Sequence, residues 1–306
     1  MLLSLQQTHH SLKLAQALQE ARLQPEAPLL VMELEGMALA FPRLQLLFRE
    51  VAQGSLLGPE GPQHWMAAFC PVCDAGSYHQ ATVEGRLLHF KPIGMYNAAM
   101  LLGDEETQSE WDHIQGLCIA GPLAGKSLQR LGDLASMTAA QTLLHHPEAT
   151  LIFLPIAPGE EAESQEFEDF NLKPDLDLFQ KSLTGPADPR LARLEIGLGL
   201  WGKSGARYYP LKHLHAQDNA LLDAWEGQTI LLVIDPETAS PNAFYTSAKR
   251  FEWRNEVLYL DTGEEVRAGR LYRGGQLQAF PPRPRQIFVR WYAFAYRFPS
   301  CQIYTP

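Results

Sequence analysis

LLVMELEGMALAFP, residues 29–42, decides the fold. Leu29 to Leu34 is an apolar run broken only by Glu33, Glu35-Gly36 supplies a two-residue turn, and Met37 to Phe41 is a second apolar run. The stretch therefore predicts two strands joined as a hairpin. Pro42 follows, with no N–H to donate and φ preset for a first helical turn, and opens a short helix through Ala52. The same series returns at LEIGLGLWGKSGARYYP, residues 194–210: a strand to Trp201, a turn over Gly202 to Gly205, a strand Ala206 to Tyr209, and Pro210 opening Leu211 to Leu214.

Working outward, the parallel persists. His64 to Cys73 (HWMAAFCPVC) corresponds to Thr229 to Thr238 (TILLVIDPET), with Pro71 opposite Pro236. Strands are expected at Arg86 to Phe90 and Phe251 to Leu260, then acidic turns at Asp104-Glu105-Glu106 and at Asp261 to Glu265. Helical stretches over Asp133 to His145 and Arg285 to Arg297 run into His146-Pro147 and Phe298-Pro299, before final strands Thr150 to Leu154 and Cys301 to Tyr304. An ordered series of matches implies an internal duplication, residues 29–155 and 193–306. Residues 156–192 form a linker rich in acid (Glu160, Glu161, Glu163, Glu166, Glu168, Asp169, Asp175, Asp177, Asp188) with interspersed aromatics. Ahead of both copies, residues 1–28 place Leu12, Leu14, Ala15, Leu18 and Ala21 near helical spacing and predict an N-terminal helix. The fold class expected is α+β, mostly antiparallel β with short helices.

Composition excludes several functions. With 46% hydrophobic and 20% charged residues, the 306-residue chain has material for one large core or two smaller ones and is not a disordered chain. A net charge of −10 argues against coating nucleic-acid phosphates or anionic lipid. No apolar run approaches the length of a membrane span, and His9, His10, Lys13, Glu20 and Arg22 interrupt the N-terminus where a signal peptide would be apolar, so a cytoplasmic protein is expected. The basic C-terminal copy, with Arg267, Arg270, Arg273, Arg283, Arg285, Arg290 and Arg297 and no acid after Glu265, suggests contact with the acidic linker.

The chain has 4 cysteines, too few for a disulfide scaffold in a chain of this length. Cys70-Pro71-Val72-Cys73 ends an apolar strand and enters the turn Asp74-Ala75-Gly76. Thiols at this spacing can close a small disulfide ring, and a favourable local field makes one a nucleophilic thiolate. The same spacing supplies half a zinc site, which would need Cys118 and a histidine such as His79, His89 or His113. Two cysteines merely packed at a strand end are the plain alternative. Ala120 to Ser127 (AGPLAGKS) satisfies a relaxed phosphate-loop pattern, but Pro122 removes a donor and the surrounding chain lacks β-α alternation, so a structural turn is expected. His145-His146-Pro147 suits a helix end whose carbonyls imidazole can cap. Asp104, Glu106, Thr107, Ser109, Trp111 and His113 form either a solvated hairpin or a wall facing Cys73.

Together these motifs resemble a bacterial and archaeal family, domain of unknown function 3179, over nearly all of 29–306. The resemblance rests on Ala40-Phe41-Pro42, the C-P-x-C of Cys70 to Cys73, the D-x-x-T-x-S-x-W of Asp104 to Trp111, Gly121-Pro122-Leu123-Ala124-Gly125, and the later His-Pro. The family's Gly-Pro-Leu-x-Gly segment needs no Lys-Ser after it, which weakens the phosphate-loop idea further. Some members are described as candidate selenoproteins, which implies redox or metal use of a motif cysteine, carried here to Cys73 first and Cys70 second. Tyr96 to Met100 (YNAAM) and Asp74-Ala75-Gly76 depart from the family's usual wording. The resulting expectation is a thiol-dependent redox or redox-sensing protein: Cys73 as attacking thiolate, Cys70 as resolving thiol, His113 or Asp74 tuning them, and a protein partner or thiol reductant exchanging with them. The rivals are a module binding zinc or another transition metal through Cys70, Cys73 and Cys118, and a non-catalytic interaction scaffold.

Overall fold

A computed structural model describes residues 2–5, 10–58, 61–173, 180–255, 257–267, 269–278 and 282–306. Asp175 and Asp177 of the linker lie outside the described residues. The fold is α+β, with mostly antiparallel strands and a few short helices. It divides into two compact units, Met1–Ala187 and Asp188–Pro306.

In the first unit, Pro28–Leu34 and Met37–Pro42 form the expected hairpin, in register from Leu29↔Pro42 to Leu34↔Met37. Its two turn residues, Glu35 and Gly36, both have positive φ (51° and 75°), the backbone that a two-residue hairpin requires. The hairpin lies inside a five-stranded sheet: Ala135–Thr138 runs antiparallel beside its first strand, Thr150–Phe153 parallel beside its second, and His10–Lys13 closes the edge. The period-2 alternation is used on both faces. Leu30, Met32, Leu39 and Phe41 meet Trp65, Ala67 and Phe69, while Leu29, Val31, Ala38 and Ala40 meet Leu14, Ala17, Met137 and Leu151. Each fully buried Leu or Phe contributes about 1.5–3 kcal/mol, so a single register slip would be expensive on either face. A second sheet runs Leu2–Leu5, Val51–Gly58, Gly61–Cys70, Ala75–Gln80, Arg130–Asp133, and a third runs Phe90–Tyr96, Ala99–Asp104, Glu110–Asp112, Cys118–Ala120.

The second unit has a sheet of order Arg285–Arg290, Ile196–Gly202, Gly205–Pro210, Gln302–Ile303, again antiparallel, antiparallel, then parallel. A three-stranded sheet follows (Ala220–Trp225, Gln228–Ile234, Pro241–Tyr245), then a meander of five strands from Phe251 to Leu277. Gly199 is obligatory in the central strand because a Cβ there would lie 2.1 Å from the Phe294 ring.

Three expectations need correction. The N-terminal helix shrinks to Leu14–Gln19, preceded by strands Leu2–Leu5 and His10–Lys13. The exposed edge of Thr150–Phe153 offers backbone partners to His10–Lys13, and a helix of under two turns has no cooperativity to compete with them. Asp133 to His145 and Arg285 to Arg297 are each half strand: helices span only Ala139–His145 and Trp291–Arg297. Thr138 is the boundary in the first, capping Gln141 N–H while Gln141 caps Thr138 in return. The linker's helix, Glu161–Leu172, packs within the first unit, Phe167 edge-on to Phe48 (5.4 Å between centroids) and Glu160 paired with Arg49 at 2.5 Å.

Candidate functional site

Strand Gly61–Cys70 pairs with Ala75–Gln80 up to Cys70↔Ala75, so Pro71 to Asp74 form a tight turn at the end of two buried strands. Asp74 closes it with φ 53°. The geometry folds the main chain back on its first sulfur: Cys73 N–H donates to Cys70 Sγ at 3.3 Å. A second N–H reaches the same sulfur from elsewhere. Asn97 and Ala98, both with positive φ, turn the hairpin Phe90–Tyr96/Ala99–Asp104 so that Met100 N–H points at Cys70 Sγ, 3.2 Å away.

The third member arrives from the segment after Glu110–Asp112. His113 Nε2 lies 3.5 Å from Cys73 Sγ and its Nδ1 3.5 Å from Ser77 Oγ. Its carbonyl accepts from Ser77 Oγ (2.6 Å) and His79 Nε2 (2.7 Å), two side chains that share one face of strand Ala75–Gln80. Asp112 Oδ1 accepts from the N–H groups of Ile114 and Gln115 and fixes the turn that holds the imidazole. Gly116 completes that turn: a Cβ there would sit 2.8 Å from His79 Nδ1. The ligand atoms of Cys70, Cys73 and His113 all lie within 4.8 Å of one another, and all three residues are buried.

Electrostatics separates the cysteines. Burial pushes the Cys70 thiol up, but hydrogen bonding with Cys73, the hydrogen bond and charge of His113, and the Cys73 N–H together hold it well below the usual thiol range. For Cys118 and Cys301 burial dominates and the thiols are pushed up. His79 is driven down to about 3 by burial and then by Arg130, and its buried Nδ1 has no hydrogen-bond partner among the described residues. It therefore serves as a neutral donor to His113. Glu50, raised to about 8 by burial and by the charge of Cys70, is a neighbour of the site that reading the chain in order had no means of finding.

The other expected residues divide. Asp74 points away from the sulfurs: its Oδ1 accepts from Arg43 Nη2 (2.8 Å) and Asn171 Nδ2 (3.2 Å). Cys118 is not in the group, correcting the expected ligand set; its thiol donates to Ala120 O at 3.2 Å, and its strand pairs it with Trp111 instead. His89 pairs with Glu106 at 2.5 Å on the surface. Of the segment expected as either a solvated hairpin or a wall facing Cys73, His113 does face Cys73, while Asp104 to Trp111 is tied together by internal hydrogen bonds. Asp104 is buried and accepts from Thr107 N (2.6 Å), Thr107 Oγ1 (2.7 Å), Ser109 N (3.1 Å) and Trp111 Nε1 (2.9 Å), a knot that sets the hairpin delivering both Met100 and His113. Gly121 to Lys126 is a turn, with Gly125 N–H on Cys118 O, Cys118 N–H on Lys126 O and the lysine paired with Glu84; strand Arg130–Asp133, not a helix, comes next.

Comparison with known proteins agrees with the motifs. A family model described as "Protein of unknown function (DUF3179)" matches residues 11–299. No curated protein and no solved structure matches the chain. Among the described residues, no helix is long and apolar enough to cross a membrane.

Proposed function

The chain belongs to the DUF3179 family, and from that premise we propose that Cys70, Cys73 and His113 form a thiolate–imidazole centre that binds a zinc-type transition metal. The observation that carries this is the convergence of three buried soft ligand atoms within 4.8 Å of one another. Two sulfurs and one nitrogen are the donor set that zinc and its neighbours take, and three protein ligands leave one position for a further ligand. The surroundings support the same reading. Backbone N–H donors on Cys70 Sγ favour its thiolate, and Nδ1 of His113 faces Ser77 while Nε2 faces the sulfurs, the orientation that a ligating imidazole needs. Thiols kept as thiolates suit a reducing compartment such as the cytoplasm.

The test is metal stoichiometry. The chelator-stripped full chain is expected to take up one equivalent of Zn²⁺ or Co²⁺, the cobalt form showing thiolate charge-transfer absorption, and Cys118→Ser is expected to leave this unchanged. Absence of stoichiometric uptake would remove the metal reading.

A second reading, reversible Cys70–Cys73 disulfide formation, is supported by the C-x-x-C spacing and by the lowered Cys70 thiol. In it Cys70, rather than Cys73, is the sulfur favoured as thiolate, and a thiol reductant is the exchange partner. Mapping the disulfide after mild oxidation of metal-free protein separates the two. The shared strand order of the two units also supports an internal duplication, with the cysteine site in the first copy and a scaffold in the second.

A further inference from the structure

The cysteine turn is gripped from outside by the acidic linker. Asn171, buried in the last turn of helix Glu161–Leu172, donates through Nδ2 to Pro71 O at 2.8 Å and to Asp74 Oδ1 at 3.2 Å. Its Oδ1 accepts from Arg43 Nη2 at 2.9 Å, and the same guanidinium nitrogen binds Asp74 Oδ1 at 2.8 Å. Arg43, Asp74 and Asn171 thus close a three-cornered network over the C-P-V-C turn. Further along the linker, Ser182 and Thr184 hold the other turn: Asn97 N–H donates to Ser182 O (2.9 Å), Ala98 N–H to Ser182 Oγ (3.0 Å), and Asn97 Oδ1 accepts from Thr184 N and Oγ1 (2.9 Å each).

These are the two turns that bring N–H groups to Cys70 Sγ, Cys73 from one and Met100 from the other. We propose that the linker is a working part of the cysteine site: Asn171 is a positioning residue that pins the turn so that Cys73 N–H faces Cys70 Sγ, and the two linker contacts control how readily the buried sulfurs open to a small reagent. The acidic linker acts as a clasp because one amide in its helix, and two hydroxyl residues beyond it, satisfy the turns' own polar groups. Access to sulfurs this buried requires local opening, and the opening free energy is set by such contacts. The proposal takes the location of the site from the function proposed above, but it concerns the thiols whatever they bind.

The experiment is alkylation of the metal-free full chain with iodoacetamide, each cysteine followed by mass spectrometry. Asn171→Ala is expected to label Cys70 and Cys73 about tenfold faster, as loss of its hydrogen bonds allows. Cys118 and Cys301 are expected to keep their rates. Asn97→Gly, which keeps the left-handed backbone and removes the acceptor of Thr184, is expected to do the same more weakly. Unchanged Cys70 and Cys73 rates in both variants overturn the proposal. Equal acceleration of all four cysteines in Asn171→Ala reports unfolding, and Asn97→Gly then decides: selective labelling supports the clasp, and no selectivity overturns it. Selective labelling in a chain that takes up no metal would leave the clasp standing and remove the metal reading alone.

Discussion

The turn Pro71 to Asp74 and the turn Asp235 to Thr238 occupy the same place in their two series, after the central strands Gly61–Cys70 and Gln228–Ile234, yet they are satisfied in opposite ways. In the second unit Asp235 serves its own turn: Oδ1 accepts from Glu237 N (3.2 Å), Thr238 N (2.8 Å) and Thr238 Oγ1 (2.9 Å), and its N–H donates to Ser240 O (2.9 Å). Each of these partners is within five residues, as in an Asx turn. In the first unit a sulfur stands at that place: Cys73 meets it from its own turn, and Met100, His113 and, through Pro71 and Asp74, Asn171 and Arg43 reach it or its turn from elsewhere. A turn that closes on itself needs nothing further. One that draws on distant segments gathers a thiol pair and an imidazole into one place, which is what chemistry requires.

The sharpest way to break the comparison is at the ligands. Cys70→Ser or His113→Ala is expected to weaken metal binding by more than about 100-fold, beyond the loss typical of a supporting residue, whereas Asp235→Ala leaves it unchanged; competition against a chromophoric chelator measures both. Asp104→Ala comes next. It leaves four donors of a buried knot unmet and is expected to cost about 3 kcal/mol in urea unfolding, with weaker metal binding besides, since that hairpin carries Met100 and leads to His113.

The pH dependence of stability in metal-free protein separates the first unit further. His79 is held at about 3 against an ordinary 6.5, so the unfolded chain binds its proton first and stability is lost as pH falls from 6.5 toward 3. Glu50 is raised from 4.5 to about 8, so the folded chain keeps a proton that the unfolded chain has released, and stability is lost as pH rises from 4.5 toward 8. The two slopes oppose between 4.5 and 6.5, and below 4.5 His79 alone gives a fall on the order of 2 kcal/mol; above 6.5 the loss from Glu50 is opposed by the lowered Cys70 thiol, which adds stability as pH rises toward 9.0. Glu50→Gln is expected to gain stability relative to wild type between pH 6.5 and 8 and to keep the acid fall; an unchanged alkaline limb assigns that effect elsewhere. The smallest effect is Asp235→Ala itself, about 1 kcal/mol from the loss of a local turn, read by thermal unfolding and without change in cysteine reactivity.

Much of the fold was legible locally. The hairpins at 28–42 and 196–210 follow from apolar runs, two-residue turns and the proline that ends each, and Thr138 with Gln141 is a helix start written four residues wide. Strand boundaries went astray where a local pattern met an open sheet edge, as at His10–Lys13, because pairing energy comes from a partner far along the chain. For the site, the C-x-x-C at a strand end marked the place. The choice of partner was not legible: His79, His89 and His113 are equivalent as letters, and Cys118 is the natural third sulfur by count.

The sequence by itself determined the two hairpins at 28–42 and 196–210 and the position of two cysteines where a strand turns. Only the tertiary structure decided that His113 joins them, that Cys118 does not, that His79 and Ser77 stand behind the imidazole, and that the acidic linker reaches back to Pro71. The division follows from range. Alternation, turns and caps are settled by neighbours along the chain, whereas a ligand set depends on which strands pair and in what register, energies that belong to contacts 40 to 100 residues apart.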